Sequence, residues 1–355
     1  MNDVCERHKP EGPRSKVQGL IGAMLVAFVA AGVATAAQGR CDRQCLIGIA
    51  DQYIDALVAK DPKKAPLAAA VKYTENGQRL VPGDGYWNSV AGKGTYKLQI
   101  ADPAGAQIVT LITMREAGNA GAPPVPMILA ARLKVVNGRI TEVEHLIGHS
   151  EMGAKNFETL GQPREAFSRP TPPADRVSRP ELVRVANMYF SGMQLNDGKG
   201  VYPFADDCHR IENGNHSTNA RGRDGQPKPD PKTATNYSGM WTCREQFESG
   251  LLHFVMRIRD RRYVAVDEER GVVASFVFFD HDAGASRTFQ TPSGRTVTAG
   301  PTQPWTWHIM EVFKVEKGLL HEIEAVLERA PYGMTSGWSS WEDGMSDKIQ
   351  FEGTR

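Results

Sequence analysis

The sequence predicts an α+β protein made of two copies of one unit, and three observations carry that expectation. The first is internal repetition. Residues 48–61 (GIADQYIDALVAKD) align with 184–197 (RVANMYFSGMQLND) at an offset of 136, placing Ala50, Tyr53 and Asp61 on Ala186, Tyr189 and Asp197. Glu75, Asn76 and Gly77 align with Glu212, Asn213 and Gly214 at an offset of 137. ARLKVVNGRITEVEHLI aligns with EVFKVEKGLLHEIEAVL at 180. Three blocks in one order read as duplication, with 43 extra residues between the last two blocks of the second copy. The second observation is that each copy begins with helical periodicity and continues in strand-like runs, the α+β pattern. The third is that Asn137-Gly138 and Lys317-Gly318 each join two such runs, a signal for a tight hairpin.

Length and composition agree with this. A chain of 355 residues, 41% hydrophobic and 23% charged, has ordinary globular composition and room for about two domains. Lysine and arginine (42) balance aspartate and glutamate (41), so no basic footprint calls for nucleic acid or an anionic lipid surface. Arg7, Lys9, Arg14 and Lys16 precede an uncharged, Ala- and Gly-rich run over 17–37 that contains Ala34-Thr35-Ala36. That order predicts a signal peptide over 1–36 and a periplasmic or secreted mature chain, with an uncleaved membrane anchor as the alternative. Four cysteines then remain; sequence does not choose among their three pairings, and the expectation adopted is Cys41 with Cys45 and Cys208 with Cys243. They lack paired CxxC spacing, no HExxH occurs, and His145 and His149 lie in a strand-like stretch rather than on one helix face, so no metal is expected.

The first copy, 41–160, opens with a helix whose apolar positions include Leu46, Ile49, Ile54, Leu57 and Val58 and which closes at Asp61-Pro62. Strands follow at 108–114 and 127–136. Residues 161–180 form a Pro-rich linker with no capacity for a core. The second copy, 181–335, repeats the helix through Leu182, Val185, Ala186, Tyr189 and Phe190, closing at Asp197-Gly198, with strands at 272–279 and 305–315. Its surplus falls in 215–238 and 284–304, which lack apolar periodicity and read as loops of the functional kind. A tail, 336–355, ends the chain. With no GxSxG, GxGxxG or Walker loop, serine-hydrolase and nucleotide chemistry have no support.

An amphipathic helix with an inner tyrosine, an Asp-Pro break, a strand ending at Glu-Asn-Gly and hairpins closing in GRITEV resemble the SnoaL-like branch of the nuclear-transport-factor-two-like superfamily. The strings CDRQCLIGIADQYIDALVAKDP and RIRDRRYVAVDEERGVVASFVFFDH are similar to a two-copy subgroup of unknown function. The resemblance implies, in each copy, a curved antiparallel sheet wrapped on helices as a cone around an apolar cavity. It also implies that the copies pack with pseudo-two-fold symmetry, as the family's dimers do, and leaves a homodimer open. Such proteins include dehydratases, isomerases, cyclases, epoxide hydrolases, lyases and non-catalytic binding domains. In the steroid-isomerase-like relatives the helix tyrosine supports an oxyanion and a carboxylate beside the first strand moves the proton. Those positions fall here on Tyr53 and Tyr189, and on Glu75 or Asn76 and Glu212 or Asn213, of which only one per pair can face inward.

The expected catalytic set is His209, Glu212, Tyr189 and His308, histidine being able to move a proton near neutrality without a large shift. Asn213, Trp241, Trp305, Tyr53, Glu75, Asn76 and Trp87 are the expected substrate-binding residues. The competing readings make His209 a solvated neighbour of the Cys208 clip and the tryptophans cone wall. Arg257, Arg259, Arg261 and Arg262 are expected on an exposed strand face or paired with Asp267, Glu268 and Glu269, against a clamp on a substrate carboxylate. The first copy, with Val71, Lys72 and Tyr73 against Cys208, His209 and Arg210, looks chemically poorer. The expectation is thus a lyase, dehydratase or isomerase that needs no cofactor and acts on a small apolar or aromatic molecule. A non-catalytic binding module and a purely structural assembly protein are the alternatives.

Overall fold

In a computed structural model the chain is described over residues 41–351, so the expected signal peptide over 1–36 lies outside the described residues. Helix α1 (Arg43–Val58) starts where the Asp42 carboxylate accepts the Cys45 N–H, an N-cap beside the Cys41–Cys45 disulfide. Leu46, Ala50, Tyr53, Ile54 and Leu57 recur every three or four residues and bury one face. Beyond Lys60, at φ +55°, the chain leaves the helix for Pro62. Then come β1 (Leu67–Glu75), β2 (Gln78–Leu80), α2 (Tyr86–Ser89), β3 (Val90–Asp102), β4 (Gln107–Glu116), β5 (Val125–Val136), β6 (Arg139–Gly148) and α3 (Glu151–Leu160). The second half runs α4 (Arg179–Met193), β7 (Phe204–Glu212), β8 (Asn215–His216), α5 (Cys243–Glu248), β9 (Arg257–Asp267) and β10 (Val272–His281). It continues β11 (Thr288–Gln290), β12 (Thr296–Thr298), β13 (Trp305–Glu316), β14 (Leu319–Ala330), α6 (Trp341–Gly344) and β15 (Ile349–Phe351). Among the described residues no helix is long and apolar enough to cross a membrane.

The strands form two curved mixed sheets of the same order, β2-β1-β6-β5-β4-β3 and β8-β7-β14-β13-β10-β9, the second extended at β9 by β15. The sheets are not wholly antiparallel as expected, because β1 and β7 return beside the last long strand of their halves: β1 runs parallel to β6 and β7 to β14, and in the second sheet β15 also runs parallel to β9. Register breaks fall at equivalent places: after Leu67 and after Phe204 in the parallel pairs, and after Lys134 and Lys314 in the hairpins. Bulges at matched positions bend both sheets alike. The hairpin turns Asn137-Gly138 and Lys317-Gly318 have positive φ at both residues, as a type I′ turn needs. Gly77, in another such turn, has φ +77°, and a Cβ there would meet Thr335 O at 2.8 Å.

Each sheet buries one face against its own long helix. Tyr53, Ile54, Leu133 and Val143 belong to the α1 core, and Tyr189, Phe190, Phe313 and Ile323 to the α4 core. The opposite faces meet in a third core that joins Leu98, Val109 and Ile128 to Val264, Phe276 and Val312. Equivalent strands face each other across it, β3 with β9 and β6 with β14. Polar ties cross the same seam: Arg179 with Asp102, Arg262 with Glu144 at 2.6 Å, and Tyr96 donating to Glu324 at 2.5 Å.

Several segments depart from expectation. The linker contributes to the core after all, since Phe167 is buried in the seam and α4 already starts at Arg179. That helix ends at Met193, before Asp197-Gly198, where Leu195 takes φ +47°. Residues 284–304 contain the β11–β12 hairpin, whose Phe289 and Val297 pack with Trp241 and Leu251; strands of three residues are too short to show a period. The supposed tail is a strap: β15 pairs with β9, Ser336 Oγ donates to Asp260 at 2.6 Å, and Trp338 Nε1 donates to Thr74 of the first copy at 2.8 Å.

The arginines are neither an exposed face nor partners of the 267–269 acids. Arg259 is fully buried and, with Arg257, binds Asp280; Arg262 binds Glu144; Arg261 binds Asn187, Ser191 and Gln194. A bulge at Asp260, φ +51°, breaks the alternation of β9 and turns neighbouring guanidinium groups to different sides. A substrate clamp has no free member among them.

Candidate functional site

The second copy holds a cavity of about 80 Å³ between α4, β7, β13 and the 215–238 insert. Period-two alternation decides what reaches it. On β7, Arg210 and Glu212 face in; on β13, Trp307, Ile309 and Glu311 do. Tyr237 of the insert and His281 at the end of β10 complete the polar lining.

Glu311 is 1% exposed, and among the described residues its Oε2 has no hydrogen-bond partner. Burial pushes its carboxyl up to about 8, helped by the Glu212 charge and opposed by Arg210. It is therefore a neutral acid at pH 7, one proton transfer from being a base. Arg210, also buried, donates to Gln246 Oε1 at 2.5 Å and to Glu212, and its guanidinium lies 5.3 Å from the Tyr189 ring. Glu212 further accepts from Ser217 Oγ at 2.7 Å. Among the described residues the buried Tyr189 hydroxyl has no hydrogen-bond partner, and desolvation raises its proton affinity, opposed by Arg210 and helped by Glu311.

The first copy answers the same positions differently. Tyr53 Oη lies 3.0 Å from His145 Nε2, His145 Nδ1 lies 3.3 Å from Tyr73 Oη, and Tyr73 Oη donates to Glu75 at 2.8 Å. Glu75 also accepts the Tyr86 N–H at 2.9 Å. With Glu75 accepting, the chain has one consistent direction: Tyr53 donates to Nε2, Nδ1–H donates to Tyr73, and Tyr73 donates to the carboxylate. Burial pushes His145 down to about 3, so the ring stays neutral. This polar chain is closed.

A reciprocal exchange underlies the difference. Ala131 pairs with His145 across β5 and β6, and Glu311 pairs with Ala325 across β13 and β14. At the 180 offset these are the same two positions, carrying Ala and His in one copy and Glu and Ala in the other. The first copy is not chemically poorer, as its sequence suggested; its titratable group enters from the neighbouring strand.

Of the expected catalytic residues, Glu212 lines the cavity and Tyr189 lies beside its buried acid. His209 and His308 do not reach it. His209 follows Cys208 on the face of β7 opposite Arg210, beside His216 at 6.4 Å and under the charge of Arg164. His308 sits on the seam side of β13, stacked 4.5 Å from Phe278, and burial pushes it down to about 4. Asn76 and Asn213 leave the strand register altogether. Each occupies a turn at positive φ and clamps the next strand with its side-chain amide, Asn76 on Ile147 and Asn213 on Leu327. Glu75 and Glu212 are thus the inward members of their pairs.

Trp241 is core, its Nε1 donating to Pro229 O at 2.7 Å. Trp87 packs edge-on to Tyr53 at 5.7 Å, whereas Trp305, not itself a lining residue, stacks at 4.2 Å on His281, which does line the cavity. Glu311, Arg210 and His145 were missed. The signal for Glu311 was present: Trp307, Ile309, Glu311 and Phe313 form one strand face, with a single acid in an apolar row. Among the described residues no group of three or more His, Cys, Asp or Glu is placed to hold a metal ion.

No curated protein matches the chain. Among solved structures, AclR from Streptomyces galilaeus is similar at 12% identity and a TM-score of 0.25, over 32% of this chain and 85% of that one. An LEH-like epoxide hydrolase of M. tuberculosis is similar at 18% identity and a TM-score of 0.24, over 33% of this chain and 92% of that one. A family model described as "Domain of unknown function (DUF8021)" matches residues 39–147 and 175–327, so by the greater part of its length the chain belongs to the DUF8021 family.

Proposed function

We propose that this is a secreted or periplasmic enzyme of the SnoaL-like kind. It moves a proton on a small apolar or aromatic molecule, in lyase, dehydratase or isomerase chemistry that needs no cofactor. Its two halves are then duplicated cones, of which the second is active. The observation that carries this reading is Glu311: a buried carboxyl with an unpartnered oxygen, on the wall of a cavity. A buried polar atom without a partner costs stability, and such costs concentrate where they serve chemistry.

In the proposed reaction protonated Glu311 donates to a carbonyl or leaving-group oxygen, or its ionised form takes a proton from carbon next to a carbonyl. Arg210 and Glu212 neutralise each other, so the site suits an uncharged substrate while keeping a cation near the developing oxyanion. Tyr189 lies beside the acid and can share its proton.

The elementary step is testable without the natural substrate. Incubated in D2O with butanone, the protein is expected to exchange the protons next to the carbonyl, at a rate that rises through about pH 8 as Glu311 ionises. In Glu311→Gln the rate falls by roughly 10²–10⁴-fold. Equal rates in both proteins, or no exchange above buffer, overturn the catalytic reading. A second reading, a non-catalytic binding module, draws support from the first copy, where Tyr53, Tyr73, Glu75 and His145 are all hydrogen-bonded to one another. It survives only if exchange is absent.

A further inference from the structure

The cavity wall is unusually rich in rings: Tyr237, Phe254, Phe279, His281 and Trp307 all line it. They continue outward as a row. The Tyr237 and Phe254 centroids lie 6.4 Å apart, Phe254 and His281 5.9 Å, and His281 and Trp305 4.2 Å with only 12° between planes. The Arg329 guanidinium closes the row 5.1 Å from the Trp305 ring. Trp305 also meets Trp307 edge-on, at 4.6 Å and 87°, which holds Trp307 in place on the cavity wall. Nothing in the proton chemistry uses this row.

Size says where a ligand's bulk goes. A cavity of roughly 150 Å³ accepts one benzene ring, and here the half-open cavity is about 80 Å³. It has room for a ligand's oxygen-bearing end beside Glu311 but not for a whole ring. The ring must sit further out, where Trp307 is half-buried and Tyr237, on the 215–238 insert, is 46% exposed.

From this geometry we infer that the mouth of the second-copy cavity is an aromatic subsite: the ligand is a neutral molecule with one planar ring held by Trp307 and Tyr237 and one oxygen reaching inward to Glu311. The inference rests on the reading of this cavity as the working site and adds the class of substrate. Offset-stacked or edge-to-face contacts favour a planar ring over a saturated one of similar size, whereas an aliphatic mouth would not discriminate.

Acetophenone and cyclohexyl methyl ketone carry the same acceptor oxygen on planar and saturated rings. Titrated by NMR against the native protein and Glu311→Gln, acetophenone is expected to bind about three- to tenfold more tightly to both. Trp307→Leu, which keeps an apolar side chain and removes the ring, brings the ratio close to one; Tyr237→Leu, on the exposed insert, lowers it without burdening the fold. Equal affinity of the native protein for the two ketones, no binding of either, or a ratio unchanged in both variants overturns the inference. If the aromatic preference fails while Glu311-dependent exchange persists, only the subsite falls. If exchange fails while the preference remains, only the catalytic reading falls.

Discussion

A carboxyl that is protonated at neutrality and histidines that are not make this protein's stability depend on pH from both sides. Glu311 holds its proton more tightly folded, at about 8, than an ordinary glutamate at 4.5, so its stabilising share is complete below about pH 4.5 and lost as pH rises through 8. His145, at about 3, and His281 and His308, at about 4, are depressed below 6.5 by burial. Their share is present above 6.5 and lost as pH falls through 4 to 3. The thermal midpoint is therefore expected to peak near pH 6 and to fall on both sides, with Glu311→Gln flattening part of an alkaline limb that Glu322 and Glu324 share, and leaving the acid limb intact. Scanning calorimetry between pH 3 and 10 on both proteins checks this; an unchanged alkaline limb would remove Glu311 as its cause. At this scale the sequence was legible in part. Tyr189 and Glu212 were singled out through the resemblance, and the structure places Glu212 on the cavity wall and Tyr189 beside Glu311. Charge environment was not legible, since Glu311 is shifted first by burial among distant strands and then by charges on β7, Arg210 lying 101 residues earlier.

Strand periodicity and turn chemistry decide most of what the elements do. The runs expected at 108–114, 127–136, 272–279 and 305–315 fall inside β4, β5, β10 and β13, because buried β-branched and aromatic runs bounded by Gly or Asn are local signals. Local signals fail for β11, β12 and β15, three residues each, and for β9, whose bulge scatters four arginines that looked like one face. The Asn clamps belong to this scale as well. Asn213→Ala removes both side-chain hydrogen bonds to Leu327 and leaves alanine at φ +44°, so denaturant titration should show a loss of about 1–3 kcal/mol. Asn213→Gly, which tolerates that φ, should recover part of it. If alanine and glycine behave alike, backbone strain plays no part at this turn.

At the level of the molecule, the aligned blocks of the sequence fall on two sheets of the same strand order, while the seam between the halves was not legible, its partners being far apart in the chain. Glu144 meets Arg262, 118 residues on, and also Arg132; these charges pull its carboxyl down to about 2 despite full burial. Among the described residues its counterpart Glu324 hydrogen-bonds only to the Tyr96 hydroxyl and stands beside Glu322, and desolvation lifts both carboxyls to about 7. The two ends of the seam are thus electrostatically unlike. Glu144→Gln turns two buried guanidinium groups toward a neutral amide and should cost about 3–5 kcal/mol, whereas Glu324→Gln should cost far less and stabilise above pH 7. Parallel denaturation series at pH 6 and pH 8.5 separate these outcomes, and equal losses for the two variants would contradict the asymmetry.

The strap has a consequence in time. Residues 336–351 lie downstream of everything they cover, so a growing chain presents Asp260 and Arg259 before Ser336, Met334 O and Gly344 O exist to receive them. A chain cut before Met334 would keep six strands in each sheet but leave Arg259 without the Met334 and Gly344 carbonyls and Asp260 without the Ser336 hydroxyl, opening the join of the two halves to water.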